Sequence, residues 1–425
     1  MAIAIFLVVL FSAMSIGIPI AFALMMTAVA LMYHLDFFNA QLLAQNVQAG
    51  FDNFPLLAVP FFVLAGELMT AGGLSQRIVD LARAFFGHVK GGLGYVAIGA
   101  SVLLASMSGS AIADSAALAT LLLPMMRRQN YPAGSSAGLI ASGGIIGPII
   151  PPSMPFIIYG VTTNTSISQL FLAGIVPGIL MAAAIAVAWG WIVRDKNLPV
   201  AEKQSWHERL LVLRRSIWAL LLPIIIIGGL RGGIFTPTEA AVVAAVYALI
   251  ITTLVYRELN LAGVYQVLVR ASKTTSVVMF LAGAAMASSY MITLADLPNQ
   301  LIELFGPILD KPILFMLGVV LFLLVIGMVM DLTPSILILA PVLAPMAAAA
   351  GVDPVYFGLM FIMAGCVGLI TPPVGTVLNV VSGVGKMPME SVVRGVLPFI
   401  TAYIVLLGLL ILFPQIVIWP LKWLS

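Results

Sequence analysis

Charge is what this chain has least of. Only 8% of its 425 residues are Asp, Glu, Lys or Arg, against about 25% in a typical soluble domain, while 62% are hydrophobic and the mean hydropathy is +1.16. So little charge cannot clothe a soluble globule, and apolar stretches of membrane-crossing length recur from end to end; the chain reads as an all-α polytopic membrane protein in a lipid bilayer. Its net charge of +3 is spread over short loops with no basic patch, which excludes nucleic acid as a partner and leaves the basic residues as topology signals. One cysteine is present, Cys366, within an apolar segment. Internal disulfides and Cys-rich metal sites are thereby excluded, and a buried packing role is expected. The three histidines, His34, His88 and His207, are scattered among loops, with no paired His/Asp motif and no nucleotide motif, so catalysis has little support. No basic segment or small-residue cleavage site accompanies the opening run from Ala2 to Tyr33, which is expected to be a retained membrane helix rather than a signal peptide.

What is present is a repeated pattern. Ser106 to Asp114, rich in serine and glycine, is followed by Ile149-Ile150-Pro151-Pro152; Gly327 to Ser335, which holds Asp331, is followed by Ile370-Thr371-Pro372-Pro373. The run 92–126 is too long for one crossing of a hydrocarbon core about 30 Å thick and is broken by Ser108-Gly109-Ser110. A re-entrant hairpin with its tip at the break fits that length, although two full spans would return the chain to the same side as well. The second hairpin is expected over 313–346, and broken helices over 135–165 and 354–385. Other short strings keep the same order in both halves: Val63-Leu64-Ala65-Gly66 matches Phe280-Leu281-Ala282-Gly283, the segment from Leu74 matches that from Leu297, and Asp114 matches Asp331.

Loop charge distinguishes the copies. Arg77, Arg83, Lys90, Arg127 and Arg128 flank the first, whereas Asp296, Glu303, Asp310 and Asp353, with only Lys311 among them, flank the second. By the positive-inside rule the repeats are inverted across the membrane. Inverted repeats with broken helices are the pattern of secondary transporters that bind substrate near the midplane. The expected organisation is N-terminal helices 1–75, an amphipathic arm 76–90, repeat 1 over 91–193, a cytoplasmic loop 194–215, helices 216–295, a second arm 296–311, repeat 2 over 312–388 and a C-terminal helix 389–425.

Backbone chemistry points to the sites. A double proline in a membrane helix frees carbonyls that need protein, water or a cation as partner, and hard cations suit oxygen cages. Small-residue packing is the plain reading of Ser106, Ser108 and Ser110, and a simple kink that of the prolines. Asp331, inside an apolar stretch, is either an N-cap or an ion ligand, and the two are compatible. Asp114 is weighted toward a cap, as is Glu239 after Thr236-Pro237-Thr238; Glu67 has no partner that the sequence names.

The segments Phe54 to Phe62, Ser108-Gly109-Ser110-Ala111, Ile150-Pro151-Pro152-Ser153, Phe235 to Ala241 and Gly368 to Gly375 together resemble the large membrane subunit of TRAP (tripartite ATP-independent periplasmic) transporters, over essentially the whole chain and with most similarity to the 2,3-diketo-L-gulonate branch. The resemblance implies an elevator-type fold in the bacterial inner membrane, a sodium gradient as driving force with Na+ as coupling ion and no other cofactor, a small four-helix membrane subunit, and a periplasmic solute-binding protein that delivers an organic acid. Carried across by motif, one sodium site comprises Ser106, Ser108 and Ser110 with Gly147, Ile150 and Pro152, and the other Gly327, Asp331, Ser335, Thr371 and Val374. Ala111 and Ser335 stand where relatives carry other polar or threonine ligands. With Arg and Lys nearly absent from embedded segments, the substrate's anionic group is expected at helix N-termini, near Ser153, Thr333, Thr376 and Asn379. A channel, a membrane enzyme, and an organic-anion carrier working without a binding protein are the alternatives.

Overall fold

The computed structural model describes residues 1–424, and every regular element among them is helical. The run 2–33, expected as one membrane helix, is two: α1 (Ala2–Ser15) and α2 (Ile20–His34) are split at Gly17, which takes φ 84°, and Pro19, and they pack side by side. Hydropathy averages over such a turn because Gly, Ile and Pro barely lower it. Next come α3 (Ala40–Phe51) and α4 (Ala58–Ala71). The amphipathic arm is α5 (Leu74–Phe86), whose Leu74, Ile78, Val79 and Ala82 are buried while Gln76, Asp80 and Arg83 face out.

The first repeat is a helical hairpin, α6 (Gly92–Ser108) and α7 (Ala111–Arg128), followed by a broken helix, α8 (Ala133–Gly144) and α9 (Met154–Thr163), and then α10 (Ile167–Val193). The expected loop 194–215 is shorter than its charge suggested. Ser205 and Glu208 form a reciprocal capping box that starts α11 (Trp206–Arg231) inside it. After α12 (Pro237–Ile250), capped in the same way by Thr236 and Glu239, a π-helical turn (Ile251–Val255) leads to α13 (Leu261–Leu294). The second arm is α14 (Leu297–Leu309). The second hairpin pairs α15 (Pro312–Gly327) with α16 (Leu332–Ala349), and the second broken helix is α17 (Pro354–Gly368) and α18 (Thr376–Gly385). The expected single helix 389–425 is two, α19 (Met389–Leu412) and α20 (Gln415–Leu424), separated at Pro414; Ser425 lies outside the described residues.

The repeats interlock reciprocally. The returning arm α7 packs on α18 of the second repeat, α16 packs on α9 of the first, α8 lies along α19 and α10 against α17. Their orientation follows from these contacts. The Arg127 guanidinium at the base of the first hairpin donates to the Gly385 carbonyl, where α18 ends, whereas α17 starts beside the base of the second hairpin. A broken helix that runs from one base to the other places the two bases on opposite faces, which is the inversion that loop charge predicted. Helices α2, α3 and α4 gather around α13 to one side, with α12 packed on α4, joined in part by a hydroxyl pair, Thr27 with Ser288 at 3.1 Å. Buried hydrogen bonds brace the repeats: Tyr403 donates to the Ser142 carbonyl at 2.7 Å and Tyr356 to that of Leu410 at 3.0 Å.

Candidate functional site

Each hairpin tip abuts the break of its own repeat. Twelve residues of α8 advance about 18 Å, so the first break lies deep inside the protein, and the tip between α6 and α7 reaches that depth. Gly109 turns the corner at φ 59°, and a Cβ there would lie 2.8 Å from the Pro152 carbonyl oxygen. Only glycine combines that backbone with that approach. Ser110 then caps α7, its hydroxyl accepting from the Ala113 amide at 3.4 Å.

The polar groups behind this tip form one cluster. The Ser108 hydroxyl donates to Oδ1 of Asp114 at 2.5 Å and accepts from the Ser110 amide at 3.1 Å. Asp114 is buried, and its Oδ2, directed at Gly147, has no hydrogen-bond partner among the described residues; neither has the buried hydroxyl of Ser115 beside Gly144. At the break, which carries a cis Pro151–Pro152 peptide, the Ser153 hydroxyl caps α9 and donates to the Pro148 carbonyl at 2.5 Å. The carbonyls of Gly147, Ile150 and Pro152 accept no hydrogen bond among the described residues. Ser106 stands apart, its hydroxyl committed to the Leu103 carbonyl at 2.7 Å, as in ordinary helix packing. The structure thus gathers Ser108, Ser110, Gly147 and Pro152 near one tip and adds Asp114, which motif comparison left out.

The second repeat is built alike with different chemistry. Asp331 is the N-cap residue of α16, yet its carboxylate caps no amide; its backbone carbonyl accepts from the amide and hydroxyl of Ser335, at 3.2 and 2.8 Å. The tip is fastened to its break by the Gly375 amide, which donates to the Met328 carbonyl at 3.0 Å, and by close backbone contact between Gly327 and Gly368. Thr371 directs its hydroxyl to the Val367 carbonyl at 2.7 Å, the Thr376 hydroxyl is buried without a partner, and Asn379 reaches the Val374 carbonyl at 3.4 Å. The Pro372–Pro373 peptide is cis, as in the first repeat.

The helix caps also correct the repeat register. Both returning arms have 18 residues, and aligning their first residues pairs Ser110 with Asp331 as caps and Asp114 with Ser335 one turn later. Matching Asp114 to Asp331 by string order was one helical turn out. At the cap and one turn later, each arm holds one aspartate and one serine, in exchanged positions.

Both tips meet at one small cavity of about 60 Å³, lined by Ser110, Ala111, Ile112, Asp331, Leu332 and Thr333 from the tips, Pro148 and Leu369 from the breaks, Met154 and Pro155 from α9, and Val278 of α13. The first residues of three helices, α7, α9 and α16, therefore face the same space, with the positive ends of their dipoles. No lysine or arginine lines it, and Arg231 lies elsewhere, donating to the Trp423 carbonyl at 3.3 Å. Of the residues expected near substrate, Thr333 lines this cavity, whereas Ser153, Thr376 and Asn379 do not. The other embedded acids are accounted for. Glu239 serves its capping box, and Glu67 pairs with Arg270 at 3.4 Å. Cys366 is fully buried.

Residues 7–416 match the family described as tripartite ATP-independent periplasmic transporter, DctM component. The chain belongs to this family. It is 53% identical, over the full length of both chains, to the 2,3-diketo-L-gulonate TRAP transporter large permease protein YiaN of Escherichia coli K12. It is 41% identical to the sialic acid TRAP transporter large permease protein SiaM of Vibrio cholerae, over 94% of this chain and 93% of that one, and 38% identical to the C4-dicarboxylate TRAP transporter large permease protein DctM of Pseudomonas aeruginosa, over 88% of each. Among solved structures, the YdaH transporter of Alcanivorax borkumensis, at 17% identity, shares the fold with a TM-score of 0.63, covering 89% of this chain and 88% of that one. The chain is thus a TRAP large permease, a membrane transport subunit and not an enzyme.

Proposed function

We propose that this TRAP permease couples inward sodium movement to import of an organic acid, delivered by a periplasmic binding protein, with the interlocked repeats as the moving body and the helices around α13, together with a small membrane subunit, as the fixed one. The observation that carries this reading is the pairing of unpartnered oxygens with converging helix ends. Asp114 Oδ2 and the free carbonyls of Gly147, Ile150 and Pro152 offer one oxygen set for a hard cation; Asp331, Ser335 and the backbone near Gly327, Thr371 and Val374 offer the other.

The coupling has an electrostatic basis. A carboxylate substrate that enters the cavity meets three helix N-termini, which attract it, and Asp331, which repels it. A cation on Asp331 cancels the repulsion, so sodium raises substrate affinity and, by linkage, substrate raises sodium affinity. A space of about 60 Å³ has room for only a few waters, and Val278 of α13 forms part of its wall. Admitting an acid of several carbons therefore requires α13 and the tips to separate, the relative motion that an elevator supplies.

The sugar-acid, sialate and dicarboxylate names of the relatives favour an organic acid as substrate, and a sugar acid above the others by identity. The test is uptake into proteoliposomes containing both membrane subunits, with the cognate binding protein and a panel of sugar acids. Accumulation should require an inward sodium gradient and the binding protein. Flux that persists unchanged without sodium would instead favour a channel.

A further inference from the structure

Away from the tips, a cavity of about 780 Å³ opens where the first arm α5 meets α11 and the turn after α12. Its wall brings together Arg77 of α5, Arg214, Arg215 and Trp218 of α11, and Tyr256. These elements are distant in sequence but firmly tied. Ser216 donates to the Arg77 carbonyl at 3.1 Å, Tyr256 to that of Arg215 at 2.8 Å and Tyr247 to that of Trp218 at 2.6 Å.

The charge census of this wall matters. Arg77 lies over the Tyr256 ring at 3.9 Å and pairs with Glu258 at 3.0 Å, and Asp80, also in the wall, accepts from Gln76 at 3.1 Å. Arg214 and Arg215 are exposed and make no ion pair among the described residues. They are the charges left to recruit an anion.

Depth identifies its class. Beyond Arg215 the stretch Ser216–Leu230 carries no charge, and the basic stretch 194–215, which includes the start of α11, precedes it, so the two arginines stand at the cytoplasmic boundary of the hydrocarbon. Beside them Ile217, Trp218 and Val255 are 41, 40 and 43% exposed, an apolar flank that an acyl chain would cover. Topology alone would ask for basic residues in the loop; it would not ask for Arg214, Arg215 and Trp218 of α11 to meet Arg77 of α5 and Tyr256 around one cavity. We propose that this cavity binds an anionic phospholipid, its phosphate on Arg214 and Arg215 and an acyl chain along Trp218 and Val255, and that the lipid fastens the arm to α11.

The test uses the delipidated permease in neutral detergent, alone and complexed with its small membrane subunit, titrated with phosphatidylglycerol, phosphatidylcholine or inorganic phosphate and read by native mass spectrometry. Phosphatidylglycerol should bind in preference to phosphatidylcholine in both preparations. Arg214→Gln with Arg215→Gln should weaken it ~30-fold, roughly fivefold per arginine at the headgroup level, while Arg83→Gln, exposed on the same arm but outside the cavity, should leave it unchanged. Thermal unfolding of each variant checks that it is folded, and Arg215→Lys, which keeps the charge, should retain most of the binding. Equal phosphatidylglycerol binding by the double glutamine variant would overturn the proposal. So would displacement by millimolar inorganic phosphate, which would make the site one for a soluble anion, or loss of lipid binding when the small subunit is bound, which would make it a protein interface.

Discussion

Replacing Asp114 by asparagine tests the reading of the first oxygen set with one atom changed. Asparagine keeps the shape and can still accept from the Ser108 hydroxyl through Oδ1, so the tip retains its internal bond; what disappears is the negative charge whose second oxygen faces Gly147 unpartnered. A cation at about 2.4 Å from a carboxylate oxygen, a distance ordinary for hard cations, gains about 7 kcal/mol of Coulomb energy at an effective dielectric of ~20. Desolvation of the buried charges offsets several kcal/mol of this. A net loss near 3 kcal/mol follows, about 100-fold in affinity. The assay is sodium-dependent uptake in proteoliposomes, with the sodium concentration for half-maximal rate measured for both proteins and thermal unfolding recorded with and without sodium. The variant should need ~100-fold more sodium. Its stability without sodium should be unchanged or higher, because a buried unpaired charge has gone, and the stabilisation that sodium gives the wild type should shrink. Unchanged half-saturation would refute the assignment, and a variant less stable without sodium would mean that Asp114 holds the tip rather than the ion.

Asp331→Ala should abolish sodium-dependent uptake while circular dichroism and the unfolding midpoint stay close to wild type, since this carboxylate caps no amide; wild-type uptake at low sodium would count against the second oxygen set. Gly109→Ala places a Cβ 2.8 Å from the Pro152 oxygen on a left-handed backbone, at a cost of roughly 1–2 kcal/mol, and should reduce both maximal uptake and the unfolding midpoint. Tyr403→Phe removes the buried 2.7 Å bond to the Ser142 carbonyl and should destabilise by about 1–2 kcal/mol in thermal unfolding, with sodium half-saturation untouched. Glu67→Gln breaks a half-exposed ion pair with Arg270, a contact worth at most ~1 kcal/mol, so uptake and unfolding should both stay near wild type.

Much of the architecture was legible because membrane insertion writes it into composition. Apolar run length gave the two hairpins, and loop arginines gave the inversion that the Arg127–Gly385 contact bears out. Local signals are less legible. Gly17 and Pro19 split a run that hydropathy smooths over, and the Ser205–Glu208 capping box starts a helix inside a stretch whose charge resembled a loop. Asp114 is hard to read from sequence for a related reason. A carboxylate in the first turn of a helix reads as a favourable dipole interaction, and only the fold reveals that Ser108 engages one of its oxygens while the other faces a glycine of the neighbouring break. Glu67 and Arg270 are too far apart in sequence for their pairing to have been foreseen.

The exchange of serine and aspartate between the returning arms bears on how one fold can offer two unlike oxygen sets for a cation. A cap residue sits at the tip, in the lining of the shared cavity, and the residue one turn later sits behind the tip against the break. In the first arm the aspartate takes the rear position, and the cap that faces the cavity is the neutral Ser110; in the second, Asp331 takes the front position and Ser335 the rear. A cation held by Asp114 is thus one helical turn removed from the substrate space and acts chiefly to lock the first tip onto its broken helix. A cation held by Asp331 lies in the wall of that space, where its charge bears directly on an incoming carboxylate. Had both arms carried aspartate at the cap, two carboxylates would line a cavity of about 60 Å³ and repel the anion, and each other, until two cations were bound. With one at the front and one at the rear, the repeats keep their common backbone, and under the proposed coupling they divide the work: a cation at the first tip would organise the site, and a cation at the second would make it anion-selective only when sodium is present.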